Sequence, residues 1–424
     1  MRKIFLNCIW ILPCAVALGL ALVALSLLLP PADHDSRVLP AADIIRAESP
    51  YPQETYSQRM LDNDTDSLML LEAADAGEEG LLDRAIHVYY TAERGRVPNA
   101  TLVDQLPPGT VETYRHSYAR YWHGFMVFLR PAFALLGYNG IRTLNLVLQH
   151  ALLMAVLLLL QRRCPACLFP FLLTVLFLAP TAIGKSLQFS SVYYLILISC
   201  LLLLWNPKGL LRGDRAGWLF LFSGIAVAYL DLLTWPTAAL TLPLVLLCAR
   251  EYREGRSVRE SLRRLGLCAL LWFIGYAGMW AGKWLLALVS DGAGFFTNLL
   301  EIMGRRSSAT NGFQTRVSRG RCLWVNLRTL FENRHLLLLT AFYVLGQGYV
   351  LLKGKAAGRV QLRQLSVFLL PPLIAAGWIL LLSNHATVHS WFTYRTLAPG
   401  LFSLLTALSL AAAGNRERES APGE

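Results

Sequence analysis

The chain has 424 residues, of which 55% are hydrophobic and only 16% are charged, with a formal net charge of +12 and a mean hydropathy of +0.45. This apolar excess excludes an ordinary soluble domain of the same length. The apolar residues fall in runs long enough to cross ~30 Å of hydrocarbon, for which a helix needs about 20 residues. Continuous runs such as residues 151–160 exclude the alternating strands of a membrane barrel, so we expect an all-α polytopic membrane protein.

About ten helices are predicted to cross the membrane. Their approximate bounds are 5–29, 141–161, 166–182, 187–205, 217–232, 234–249, 266–289, 335–352, 366–383 and 396–413. The first of them follows Arg2 and Lys3 and reaches Pro30 without a small-residue cleavage site. This favours an uncleaved anchor, residues 1–30, over a secretory signal.

Basic residues predict the orientation of these helices. Lys and Arg are concentrated at the N-terminus, in the connections 162–165, 206–216, 250–264 and 353–365, and in the tail 414–424. By the positive-inside rule, both termini are cytoplasmic. Residues 31–140 then form a first outer loop and residues 290–334 a basic outer loop, separated by the second to seventh spans in 141–289, with the last three spans in 335–413. The basic outer loop holds seven arginines, which suit a phosphate-bearing partner.

Two further segments do not change this topology. Residues 121–138 are apolar but are interrupted by Arg130 and Pro131, and we predict an interfacial helix on the outer surface. Cys164 and Cys167 have CxxC spacing, but no second pair or histidine accompanies them. A structural role for the two cysteines is favoured over a metal or redox site.

The first polar cluster, in the first outer loop, is Asp62-Asn63-Asp64-Thr65-Asp66. Three carboxylates at alternate positions suit a hard cation such as Mg or Mn, and crowded carboxylates also favour a general base with a raised pKa. The alternative is a helix cap, with Asp64 or Thr65 leading into a helix over residues 67–74.

The second cluster runs from Tyr118 to Gly124, at the start of the interfacial segment. An aromatic belt at the membrane surface explains Tyr118, Tyr121 and Trp122. It explains Arg120 and His123 less well. Together with Arg115 and His116, these two would make a cationic face near the lipid headgroups.

Three more clusters lie at predicted outer turns. Asp231 ends an apolar span, where a lone carboxylate indicates either function or an interfacial cap before Pro236. The last outer turn, residues 384–395, combines Asn384, Tyr394 and Arg395 with His385 and His389, which are spaced to share a helix face. Lys185, with Gln188 and Ser190, adds a weaker cluster. Because the spans carry few polar groups apart from Lys283, the pattern predicts a site at the outer surface.

The strings DNDTD, RYWHGF, DLLTWP and NHATVHSWFTYR, together with this topology, resemble the GT-C class of integral-membrane glycosyltransferases. The resemblance is to proteins of bacterial surface-polysaccharide clusters. It implies a multi-pass protein of the bacterial inner membrane with its active site on the periplasmic side. Its partners would be a polyprenyl-phosphate-linked sugar donor, a glycan, lipid or protein acceptor, and membrane lipids, with no nucleic acid. The short tail after the last predicted helix argues against the oligosaccharyltransferase branch.

The resemblance also implies roles for the clustered residues. Asp66 or Asp62 would accept the proton of the acceptor hydroxyl, and Asp64 would orient the site or bind a divalent cation. The donor phosphate would be held by Arg120, His123, His385, Arg395, Arg305 and Arg306. Substrate contacts would come from Asp231, Trp122, Lys185, His389 and Tyr394.

Three alternatives remain open at the level of sequence. A polysaccharide polymerase or ligase would use similar outer basic loops. A membrane acyltransferase would need catalytic residues on the inner side, where no candidate stands out. A transporter of lipid-linked or small substrates would place charges within the spans.

Overall fold

The computed structural model describes residues 2–53, 55–107, 109–206, 209–211, 213–308, 318–353 and 362–414. Residues 207, 208 and 212 and residues 354–361 of two predicted inner connections lie outside the described residues. So do residues 309–317 of the basic outer loop and the tail beyond residue 414.

Helices make up most of the described chain. The first part contains α1 (Arg2–Leu27), α2 (Leu39–Glu48), α3 (Asn63–Ala74), α4 (Leu81–His87), α5 (Pro98–Asp104), α6 (Met126–Arg163), α7 (Pro165–Leu178), α8 (Pro180–Lys185) and α9 (Leu187–Trp205). The second part contains α10 (Ala216–Leu230), α11 (Ala238–Arg253), α12 (Val258–Asp291), α13 (Ala293–Ser307), α14 (Arg319–Leu330) and α15 (Arg334–Lys353). The last helices are α16 (Leu362–Leu365), α17 (Leu370–Leu381), α18 (Ser383–Val388), α19 (Ser390–Thr393) and α20 (Ala398–Ala413).

Seven helical segments of the described chain are long and apolar enough to cross a membrane. They are Leu6–Leu27, Met126–Arg163, Leu187–Trp205, Val258–Asp291, Arg334–Leu352, Arg363–Leu381 and Ser390–Ala413. The other three predicted spans also form helices, but α7, α10 and α11 have 14, 15 and 16 residues. A straight span takes about 20 residues. The all-helical, polytopic architecture is therefore confirmed, whereas the number of ten spans stays a prediction.

Two glycines bring α10 and α12 into close contact. A Cβ atom on Gly224 would lie 2.1 Å from the carbonyl oxygen of Trp272, and one on Gly275 would lie 2.3 Å from that of Leu221. Each helix therefore has a glycine where the backbone of the other approaches. Small residues serve this purpose in membrane helix pairs, because apolar side chains gain little from burial against each other instead of lipid.

The first long loop packs on the membrane helices. Val23 and Leu27 of α1 share a buried cluster with Met69 and Leu70 of α3 and with Phe133 of α6. The loop also contains a hairpin of β1 (Tyr89–Glu93) and β2 (Thr113–Ser117), which pair antiparallel with Tyr89 opposite Ser117. The hairpin was not predicted from the sequence.

The segment 121–138 is only partly helical. Helix α6 begins at Met126 and is interrupted at Gly137, whose φ of 67° breaks the helical path before the long apolar part. Arg130 does not face solvent, since its guanidinium donates to the carbonyl oxygens of Leu29 at 3.0 Å and of Asp75 at 2.9 Å. These bonds tie the helix to the end of α1 and the end of α3. The placement of this segment on a membrane surface stays a prediction.

Candidate functional site

A cavity of about 700 Å³ lies between α12, α13 and α17. We call it the groove. One wall consists of Phe273, Tyr276, Trp280 and Trp284, and Trp378 of α17 also lines the cavity, with its ring centre 5.8 Å from that of Tyr276. The α12 residues recur every three or four positions and so occupy one helix face. At about 1.5 Å per residue, the stripe from 273 to 284 is ~16 Å long.

Two arginines lie at the edge of the groove. Arg306, near the end of α13, hydrogen-bonds the hydroxyl of Tyr121, and its guanidinium carbon lies 5.6 Å from that ring. The guanidinium carbon of Arg120 lies 4.7 Å from the ring centre of Tyr118, and its buried Nε atom has no hydrogen-bond partner within the described chain. The groove therefore combines an apolar body with a cationic mouth.

The two predicted histidines of the last turn lie beside this mouth. Their rings stand 4.8 Å apart, and His385 Nε2 lies 3.1 Å from the carbonyl oxygen of Leu233, a residue of the groove wall. Burial and the nearby charge of Arg306 lower the pKa of His389 to about 4. Burial, His389 and Arg306 together lower the pKa of His385 well below its usual value. Both rings are therefore neutral at pH 7.

Polar atoms without partners surround these rings. Within the described residues, His389 Nδ1, Trp391 Nε1 and Asn384 Oδ1 are buried and make no hydrogen bond. Buried polar atoms of native proteins are normally hydrogen-bonded, and exceptions often mark a place where a ligand binds. The turn beside the groove thus offers both donors and an acceptor to a bound group.

Asp231 shapes the groove wall from within the protein. Its Oδ2 atom accepts a hydrogen bond of 3.0 Å from the backbone of Thr234, and the side chain is 4% exposed. This cap holds Leu233 at a φ of 66°, a conformation that costs energy for a residue with a side chain. Asp231 is thus placed to hold the turn, with its carboxylate turned inward.

The three aspartates of the first cluster face different partners. Asp62 is the N-cap of α3, where its Oδ1 atom accepts a 3.0 Å hydrogen bond from the Thr65 backbone. The predicted cap by Asp64 or Thr65 is therefore wrong, because α3 starts one turn earlier and its exposed backbone amides face Asp62. Among the described residues, no group of three or more His, Cys, Asp or Glu side chains is arranged to hold a metal ion.

Asp66 is completely buried below this cap. It accepts hydrogen bonds from the backbone of Leu187 at 3.0 Å and from the hydroxyl of Tyr138 at 2.8 Å. Arg142 contacts the same Tyr138 hydroxyl. Burial raises the pKa of Asp66 to about 6, although the charge of Arg142 opposes this effect. The carboxylate thus caps the start of α9 and anchors α3 to α6.

Asp64 is the one aspartate of the three with partial exposure. Its Oδ1 atom accepts a 3.1 Å hydrogen bond from the backbone of Asn99, and its carboxylate also meets the hydroxyl of Tyr51. Burial raises the pKa of Asp64 above its usual value. The Tyr51 ring contacts Trp391 at 5.9 Å, and Trp391 contacts His389 at 5.0 Å. A row of aromatic contacts therefore joins Asp64 to the mouth of the groove.

The predicted cationic face near the headgroups does not form. Arg115 pairs instead with Asp75 and Glu79 of the first loop. His123 is buried, with its Nε2 atom 3.3 Å from Glu72 Oε1. Its φ of 53° is unusual for a residue other than glycine.

Buried titratable side chains surround His123. Glu72 and His123 are fully buried, and none of their four side-chain polar atoms makes a hydrogen bond within the described chain. Lys283 of α12 is also fully buried; it donates to the carbonyl oxygen of Ile86 and lies 5.5 Å from the ring centre of Trp122. The indole Nε1 atom of Trp122 donates a hydrogen bond of 2.7 Å to the carbonyl oxygen of Met279.

Four other predicted site residues lie away from the groove. Arg305 is exposed and pairs with Glu301 on the surface of α13. Arg395 is fully buried and donates to the carbonyl oxygens of Leu178 at 3.0 Å and Gln58 at 2.9 Å. Tyr394 donates to the carbonyl oxygen of Phe177, and Lys185 lines a separate pocket.

Sequence reasoning missed the aromatic wall of the groove and the acid Glu72. The spacing of positions 273, 276, 280 and 284 was a usable signal, because it places four aromatic residues on one helix face. Glu72 gave no such signal. It lies in a loop helix, α3, where an acidic residue usually faces water.

No family model, curated protein or solved structure matches this chain. The fold defines the class, an all-helical polytopic membrane protein. Its candidate site is an aromatic groove lined by Arg120 and Arg306, with Asp64 joined to it through Tyr51 and Trp391.

Proposed function

We propose that the protein is a membrane glycosyltransferase that moves a sugar from a polyprenyl-phosphate donor to an acceptor at the outer face of the membrane. The observation that carries the proposal is the groove of about 700 Å³ with Arg120 and Arg306 at its edge. An apolar channel in a membrane helix bundle suits a lipid chain. Two arginines at its mouth suit the phosphate attached to that chain.

The reaction requires charge stabilisation and a proton acceptor. The acceptor hydroxyl oxygen attacks the anomeric carbon while the bond from that carbon to the phosphate oxygen breaks, and its electron pair stays on the phosphate. Arg120 and Arg306 stabilise the charge that develops there. The hydroxyl proton passes to a carboxylate.

We assign the proton acceptor to Asp64, rather than to Asp66 or Asp62 as the sequence alone favoured. Asp64 is partly exposed, and Tyr51 and Trp391 connect it to the groove mouth. Asp66 is completely enclosed by hydrogen-bond donors, and Asp62 is 4% exposed and caps α3. A general base must reach the proton it accepts, which favours the exposed carboxylate.

Two pairs of variants test this proposal by complementation of a deletion strain and analysis of its surface glycans. D64N should lower the transfer rate by roughly 10²–10⁴-fold while the protein folds normally. D66N should instead reduce the amount of folded protein, because Asp66 is a buried cap. Full transfer by D64N would overturn the assignment of the base.

The second pair compares neighbouring arginines on α13. R306Q should lower the rate by about 10²–10³-fold, since the lost donor would stabilise developing charge. R305Q is the matched control, because Arg305 is exposed and pairs with Glu301. A sugar missing from the glycan of the deletion strain would support a transferase. Accumulated single repeat units would support the polymerase alternative, and equal effects of the two variants would contradict the groove as the donor site.

A transporter is the second candidate, favoured by one observation. Lys283, Glu72 and His123 are fully buried titratable side chains between α12 and the first loop, and such residues within membrane helix bundles are typical of ion-coupled transport. Proton uptake by proteoliposomes on addition of substrate distinguishes the two functions. If the protein is a transporter, the K283M variant should lose this proton uptake and the D64N variant should keep it.

A further inference from the structure

A second pocket lies near the aspartate cluster. Its volume is about 180 Å³, and Glu48, Arg59, Leu61, Thr181 and Lys185 are among the residues that line it. This is smaller than the ~300–1,000 Å³ of most ligand pockets, so the space suits one small group and excludes a chain.

The charge of this pocket is positive. Glu48 is neutralised by Arg142, whose Nη1 atom lies 2.7 Å from the Glu48 carboxylate. Lys185 at the end of α8 is exposed and makes no hydrogen bond or ion pair within the described chain. Lys185 therefore supplies a cationic group to the pocket that no ion pair neutralises within the described chain.

The remaining lining is mixed in character. Leu61 and Ala182 belong to a small buried apolar cluster at the base of the pocket, and Thr181 adds an exposed hydroxyl. A sugar ring has apolar faces and polar edges, so a floor of aliphatic side chains with a hydroxyl and cations at the rim matches an anionic sugar. A long apolar ligand would leave the charged groups unpaired.

The pocket is connected directly to the proposed catalytic carboxylate. Pro52 lines the pocket and follows Tyr51, whose hydroxyl meets Asp64. The Glu48 carboxylate also accepts a 3.1 Å hydrogen bond from Asn63, the residue between Asp62 and Asp64. A group bound here would thus lie next to the aspartate cluster.

We propose that this pocket binds one anionic sugar residue of the acceptor, with Lys185 holding its carboxylate or phosphate. This inference rests on the proposed function and names the chemical class of its acceptor. The donor would occupy the groove and the acceptor sugar this pocket, with Asp64 between them.

The test measures the thermal unfolding midpoint of the full-length protein in detergent while glucuronate is added at constant ionic strength. We expect a saturable rise with glucuronate and none with glucose, its uncharged counterpart. Glucose 6-phosphate distinguishes the two anionic groups, because the preferred one should give the stronger response. A rise that glucose or inorganic phosphate produces equally well would overturn the assignment of an anionic sugar.

Variants locate the binding. K185Q should weaken the apparent affinity for glucuronate by about tenfold or more, the effect of losing one charge-assisted hydrogen bond. R94Q is the matched control, because it removes a positive charge from the exposed pair of Arg94 with Glu112. If K185Q binds glucuronate as the unaltered protein does, the proposed site is wrong.

The outcome can be separated from the fate of the proposed function, since binding needs no turnover. D64N should keep the glucuronate response while losing transfer. If glucuronate binds through Lys185 but the protein shows no transfer activity, the pocket assignment would stand and the proposed transferase function would be wrong. If transfer depends on Asp64 but K185Q binds glucuronate as the unaltered protein does, the transferase function would stand and the pocket assignment would be wrong.

Discussion

At the residue scale, burial decides which of several similar side chains is available for chemistry. Asp62, Asp64 and Asp66 look equivalent in sequence, yet one caps α3, one caps α9 and one is partly exposed. The sequence predicted a carboxylate cluster in the first loop. It could not assign their roles, because alternate positions at a helix start point in different directions once the helix docks on its neighbours.

Stability at low pH should depend on His389. Its folded-state pKa of about 4 lies below the ~6.5 of an unfolded histidine, so the unfolded chain binds a proton between these values and the folded chain does not. Above pH ~6.5 the neutral ring makes its full contribution to the free energy of unfolding. This contribution, about 1–3 kcal/mol, is lost as the pH falls through 4.

Thermal unfolding in detergent at pH 7.5 and pH 4.5 measures this effect. H389Q should lose less stability between the two pH values than the unaltered protein, because glutamine does not titrate. H335Q replaces an exposed histidine and should follow the unaltered protein. Equal losses for all three proteins would contradict a neutral His389.

At the element scale, the spacing of apolar residues predicts where helices form but not how they pack against each other. The apolar runs located ten helices, but packing and length separate the seven long ones from α7, α10 and α11. The contact of α10 with α12 depends on Gly224 and Gly275 meeting backbone atoms of the opposite helix. A single glycine in an apolar run does not reveal which helix will approach it.

G224A should weaken the pairing of α10 with α12. The added methyl group would meet the Trp272 carbonyl group at 2.1 Å, and we expect a loss of about 1–3 kcal/mol. G266A is the control in α12, because nothing lies within 4 Å of a Cβ atom there. That control should be neutral or gain up to about 1 kcal/mol from the helical preference of alanine. Thermal unfolding in detergent compares the two, and similar values would contradict the close packing.

At the scale of the whole molecule, four loops distant in sequence meet at one end of the helices. Gln58 donates to the carbonyl oxygens of Thr329 and Leu330, His385 meets Leu233, and His87 meets Asp291. The charge distribution predicts that this end faces outward, since the basic connections lie at the opposite helix ends.

Epitope tags test this orientation. A tag within residues 309–317 should be accessible to antibody in spheroplasts, and a tag at Gly255, in the connection between α11 and α12, only after permeabilisation. The reverse pattern would overturn the orientation and, with it, an outer site for transfer. Activity of each tagged protein confirms that it has folded.

The sequence by itself determined the helical membrane architecture, the positions of the polar loops and the candidate residues Arg120, Arg306, His385 and Asp64. Those features depend on local composition and periodicity, which the chain carries in every short window. Only the tertiary structure decided that an aromatic stripe of α12 lines a cavity, that Glu72 and His123 are enclosed together, and that Arg395 is structural. The physical reason is that burial and side-chain contacts depend on pairs of segments far apart in the chain, and no single segment contains that information.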